Sequence, residues 1–199
     1  MIKKTKVIIA SLIALSAVIT AIPIANATVW GYKRTTGTFS AWYDTTVSQK
    51  GYTTQFDWAR SKWSGISSKV SINKTPTATS STDQYYVGET IVDKRYGFTN
   101  FYKSSTAAPT DPNVNNWDYS IVIIYDNNMV KYNRKNDTNM KNVALHEVGH
   151  SIGLAHTNEI NSTLRSQSVM TSAEDAFYNW NVTTPSDYDK NELKSKWGN

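Results

Sequence analysis

The chain changes its hydrophobic rhythm along its length, and each change predicts an element. Residues 1–6 are basic, Val7 to Ile22 is almost unbroken apolar, and Ala25-Asn26-Ala27 follows. That order is the pattern of a secretory signal peptide cut after Ala27. The alternative is an uncleaved membrane anchor. Ser11, Ser16 and Thr20 dilute a run already near the lower length for spanning. Residues 28–36 read as an N-terminal arm. From Thr38 to Tyr43 aromatic and small or polar residues alternate, which predicts a strand. Tyr52, Phe56, Ala59 and Trp63 then fall at i, i+4, i+7 and i+11, one apolar stripe on a helix over 47–64. Gly51 weakens the start of that helix and Gly65 stops it. Residues 69–73, 85–92 and 97–103 read as strands. A polar loop over 74–83 separates the first two. A loop over 104–116 follows the third, with Pro109 and Pro112 barring regular pairing. Ile121-Val122-Ile123-Ile124 predicts a strand over 118–126 buried on both faces, and Asn127-Asn128 turns the chain. A second helix covers 140–153, capped by Asp137, Thr138 or Asn139. Residues 158–167 read as a polar loop. Ser186 and Asp189 form a capping box for a last helix docked by Leu193 and Trp197.

This order predicts one α+β domain, a twisted sheet backed by two long helices. The signal peptide takes residues 1–27, the arm 28–36 and the domain 37–199. There is no cysteine, so a secreted form draws its stability from core and bound metal rather than disulfides. Seven Trp and twelve Tyr supply large areas for that core. Lys3, Lys4 and Lys6 lie in the signal peptide, so much of the formal charge of +5 leaves with it. The remainder holds no basic run that points to nucleic acid.

Three histidines are present, and all lie in His146-Glu147-Val148-Gly149-His150-Ser151-Ile152-Gly153-Leu154-Ala155-His156. His146 and His150 are i and i+4, so a helix stacks their imidazoles on one face around one metal ion. Glu147 projects roughly 100° around the helix from His146, within reach of a metal-bound water without being a ligand. Gly153 can take positive φ and turn the chain back, which delivers His156 as third nitrogen. Three ligands leave a fourth position open, as in catalytic rather than structural zinc sites. Three unrelated surface histidines are the bland alternative. A fixed glycine and a third histidine in a histidine-poor chain weigh against it.

The spacing H-E-x-x-H-x-x-G-x-x-H resembles that of the metzincin zinc endopeptidases. Thr157 after the third histidine, where matrixins typically carry serine, leans toward a matrixin-like branch. Ser168-Val169-Met170 resembles the Met-turn, with Met170 packed under the ligands; an ordinary core methionine is the alternative. The helix stripe at 52–63 and the terminal helix resemble matrixin helices. The resemblance implies a metzincin-like, mostly parallel sheet with a small C-terminal subdomain ending in a helix. It implies a secreted extracellular endopeptidase with one catalytic zinc on His146, His150 and His156. Peptide hydrolysis would use a zinc-bound water activated by Glu147. The substrate would lie extended along a sheet edge above the motif helix. Tyr178 is a candidate oxyanion donor by the same resemblance, with packing as its plainer role. No cysteine is present for a thiolate latch on zinc, and a domain beginning near Gly37 leaves no room for a propeptide. No histidine remains for a second zinc. Calcium fits the family, but Asp83, Asp93, Asp111, Asp126 and Asp137 show no ligand loop and read as solvated or turn-capping. A monomer is the default, without stable membrane association once the signal peptide is gone. Two rivals stand beside this reading. One is a secreted zinc-stabilised binding or adhesion module without activity, and the other is hydrolysis of a non-peptide amide.

Overall fold

The computed structural model describes residues 28–199; the predicted signal peptide lies outside the described residues. Alternation makes β1 (Thr38–Tyr43), which buries Phe39 and Ala41 on one face. The predicted 47–64 helix is in fact two. α1 (Thr45–Gln49) is capped by Asp44, whose carboxylate accepts from the Thr46 N–H. α2 (Thr53–Trp63) carries the apolar stripe, and Tyr52, Phe56, Ala59 and Trp63 are all fully buried. The break falls at Gly51, with φ 81°, a left-handed conformation that costs glycine little.

The remaining strands are β2 (Ser71–Thr75), β3 (Asp83–Gly88), β4 (Gly97–Tyr102), β5 (Pro109–Thr110) and β6 (Tyr119–Tyr125). Their order in the sheet is β2-β1-β3-β6-β4-β5. The β1–β2, β1–β3 and β3–β6 pairs are parallel; β4 runs antiparallel to β6 and to β5. α2 packs on β2 and on α4 (Asp137–Ser151), which in turn covers β4 and β6. Val122 and Ile124 under this layer are fully buried, whereas Ile121 and Ile123 on the opposite face are half-buried. The expected burial of β6 on both faces therefore holds for one face only.

Several boundaries differ from the sequence reading. β2 starts later because Val70 N–H closes a turn on Ser67 O. Pro109 does pair, opposite Tyr102; as an edge residue it needs no ladder donor on its outer side. Asn127-Asn128 begins no simple turn but lies in α3 (Asp126–Lys131), where Asn128 Nδ2 donates to the carbonyls of Val92 and Arg95. Asn136 caps α4, accepting from Asn139 N–H, in place of the three candidates at 137–139. The polar loop at 158–167 contains α5 (Ser162–Gln167), capped by Asn161. α6 (Asp187–Trp197) has the expected capping box, and Leu193 is fully buried.

Two aspartates read as solvated or turn-capping are neither. Asp83 is fully buried, ion-paired with the equally buried Arg34 of the arm, and accepts from Ser120 N–H at 2.7 Å. Asp126 is buried and accepts from Tyr52 Oη at 3.0 Å and Lys135 Nζ at 2.8 Å. The Arg34 guanidinium also lies 3.9 Å from the centre of the Phe39 ring, so the arm is anchored across the sheet. No helix of the described residues is long and apolar enough to cross a membrane.

Candidate metal centre and cleft

α4 carries His146 and His150 one turn apart, with their Nε2 atoms at 3.1 Å. His156 Nε2 lies 3.2 Å from that of His146. Nitrogens bound to one tetrahedral zinc at 2.0–2.1 Å stand about 3.3 Å apart, so the spacing fits a single ion. Among the described residues this is the one group of three potential ligands close enough to share a metal. The ring orientations add a second test. His146 Nδ1–H donates to Val169 O, and His150 Nδ1–H to Leu154 O, both at 2.8 Å. With those protons on Nδ1, the two Nε2 lone pairs face each other without a proton between them. Such an arrangement calls for a cation. Burial holds the His146 imidazole down to about 3 and His150 well below its ordinary value, so both rings are neutral and ready to ligate.

The turn to the third histidine is built from backbone bonds. Leu154 N–H reaches Gly149 O and Gly153 N–H reaches His150 O, the paired bonds of a Schellman ending. Gly153 takes φ 107°, as that ending requires. Two indoles satisfy the helix's last carbonyls: Trp117 donates to Ser151 O and Trp197 to Ile152 O. The arm pins the turn from outside. Trp30 N–H donates to Gly153 O, and Ala155 N–H donates to Thr28 O.

Met170 lies beneath the helix and is buried. A Cβ on Gly149 would stand 2.5 Å from its Sδ and 3.0 Å from Trp63 Cζ2, so the motif's glycine is what lets the methionine approach. Thr157 N–H donates to Met170 O, tying the residue after the third ligand to the turn. Asp189 fastens the same turn to α6. Its carboxylate accepts from Ser168 Oγ and Val169 N–H as well as from Ser186.

Glu147 lies in the wall of a cleft of about 620 Å³ that also exposes the three histidines. Its Oε2 accepts from Thr99 Oγ1 at 2.7 Å, while Oε1 has no partner among the described residues. Burial pushes the carboxyl up to about 8 against the Thr99 bond, and a divalent cation alongside acts in the opposite sense. The structure gives the Tyr178 hydroxyl to Asn142 Oδ1; the ring lines the cleft. His146, Glu147, His150, Gly153, His156 and Met170 are thus brought together as the motif implied. Thr99 and Gly97 were not anticipated; Val169, Asp189 and the arm were named from the sequence, but not their contacts with the site. No local pattern marks Thr99 or Gly97, and only the register of β4 against α4 brings Thr99 to the carboxylate.

A three-imidazole centre with an adjacent carboxylate, opening on a cleft beside a mixed sheet, is the site of a metal-dependent hydrolase. The matrixin family model matches residues 45–177, and the chain belongs to the matrixins. It is a zinc metalloendopeptidase, which sets aside the inactive binding module. A solved structure described as "Structure of myroilysin" is similar at 14% identity. That match covers 86% of this chain and 96% of that chain, with a TM-score of 0.46. Among curated proteins none matches.

Proposed function

We propose that this is a secreted endopeptidase in which His146, His150 and His156 hold the catalytic zinc and Glu147 is the general base. The observation that carries the reading is the convergence of three Nε2 atoms beside a carboxylate whose Oε1 has no partner among the described residues. Zinc bound there would polarise the scissile carbonyl and lower the pKa of water. Glu147 takes the proton of the attacking water and delivers it to the leaving amine. The carbonyls of Val169 and Leu154 keep the two helix imidazoles oriented throughout. β5 covers β4 only at Phe101 and Tyr102, so among the described residues the outer edge of residues 97–100 is free beside the cleft. An extended peptide adds there as a further strand, held by main-chain hydrogen bonds. Gly153 shapes the turn and Met170 floors the site; neither touches substrate.

Purified 28–199 should bind about one zinc and cleave casein. Glu147→Ala should bind zinc equally and lose on the order of 10²–10⁴ in rate. Zinc binding without cleavage by the parent would count against casein-type peptide hydrolysis, and cleavage by Glu147→Ala would sink the base assignment. Secretion rests on the sequence of residues 1–27 alone. The intact mass of the exported protein checks it: a chain beginning at Thr28 is expected. A monomer on sizing, with no retention on nucleic acid, completes the reading.

A further inference from the structure

We infer that Thr99 is a positioning residue for Glu147; this rests on Glu147 being the base. The carboxylate is held from two sides by one strand. Thr99 Oγ1 donates to Oε2 at 2.7 Å. On the other side the bare Cα of Gly97 makes room: a Cβ there would stand 2.5 Å from Oε1 and 2.6 Å from Cγ. Both residues lie on β4, whose outer edge is the one left free for the substrate. The strand that aligns the peptide therefore also sets the base, and the two cannot drift independently.

The Thr99 hydroxyl has a second acceptor within reach, Glu147 O at 2.9 Å. One hydroxyl carries one proton and two lone pairs. While Glu147 is a carboxylate, that proton points to Oε2 and leaves Oε1 facing the cleft. Once Oε1 carries the proton taken from water, Oε2 is the carbonyl oxygen of the acid and still accepts from the same hydroxyl. Its partner is satisfied in both states, so the side chain need not leave its place between proton uptake and delivery. An unsatisfied buried carboxyl would otherwise swing toward solvent.

The test compares Thr99→Val, which keeps the shape and removes the hydroxyl, with Thr99→Ser, which keeps the hydroxyl. The readouts are zinc content, thermal midpoint, and kcat and KM on a fluorogenic peptide built on a casein cut site. In Thr99→Val, kcat is expected to fall about tenfold with KM within about twofold and zinc unchanged, the size of a lost bond to a charged group. Thr99→Ser should retain kcat within about threefold. Full kcat in Thr99→Val would overturn the proposal. So would an equal loss in both variants, because shape would then matter and not the hydroxyl. If Thr99→Val does not fold, Thr99→Ala takes its place and the same ratio to Thr99→Ser decides. Glu147→Ala separates the two readings. If it is inactive while Thr99→Val is fully active, only the role of Thr99 fails. If it is active too, the base assignment fails with it.

Discussion

Gly149 shows how much one missing methyl group decides. Alanine is the better helix former by about 1 kcal/mol. Here its Cβ would meet the Met170 sulfur and the rigid Trp63 ring, both of them buried. Overpacking of this kind costs about 1–3 kcal/mol, so the clash outweighs the propensity. Gly149→Ala should lower the thermal midpoint and weaken zinc retention, measured by melting and by chelator competition. Arg34 makes a second case. Replacing it with Met leaves the Asp83 carboxyl buried without its cation, at a cost of about 3–5 kcal/mol. Burial already pushes Asp83 upward, so uptake of a proton would soften the loss toward the lower figure. Urea denaturation of Arg34→Met checks it, and an unchanged midpoint would show the pair to be dispensable. The residues with local chemistry were legible in the sequence, because metal ligation at i, i+4 and a glycine turn are properties of spacing. Their supports were not. Thr99 lies 48 residues from Glu147, Val169 lies 23 from His146, and Arg34 lies 49 from Asp83. Such pairs exist only once the sheet register is fixed.

Elements were legible where burial is periodic and blurred where capping or pairing decides. The stripe of α2 and the docking of α6 follow from apolar spacing. α5 has no buried residue, so no stripe announces it; only the Asn161 cap holds its first turn. α4 begins one cap earlier than the apolar pattern suggests, because Asn136 supplies the acceptor. Asn136→Ala should cost about 1 kcal/mol, seen as a lower urea midpoint at constant m-value. The helix that carries two ligands is thereby loosened from its far end. A loss of stability without any loss of zinc would show that fraying stops before the histidines. β5 is the reverse error: prolines argue against a strand, yet at an edge a proline lacks nothing the sheet needs.

For the molecule as a whole, acid should remove metal and fold together. The folded His146 titrates at about 3 and His150 well below 6.5, whereas an unfolded histidine titrates near 6.5. The unfolded chain therefore binds more protons below pH 6.5, and stability contributed by these groups falls as pH drops from 6.5 toward 3. Asp44, held below 3.8 chiefly by the Thr46 N–H, adds a further loss below that value. Glu147, pushed up to about 8, and Glu192, pushed up to about 7, both by burial, work the other way down to 4.5, and the raised Asp83 and Asp189 oppose the histidines as well. Protons do not compete for the buried His146 and His150 while the fold stands, so zinc release and the near-ultraviolet dichroism change should share one midpoint. Zinc lost near pH 6.5 from an intact fold would contradict the burial of His146 and His150.

A single relay joins the first ligand to the end of the chain. His146 donates to Val169 O, Val169 N–H donates to Asp189, and Asp189 is the third residue of α6. Amide hydrogen exchange in 187–197 should therefore register the state of a centre some forty residues earlier in sequence. Chelation is expected to speed deuterium uptake there along with the 168–170 turn, while β1 and β2 stay protected. The terminal helix would thus behave as part of the metal's cooperative unit, and shortening the chain at its end would act as a metal-site mutation.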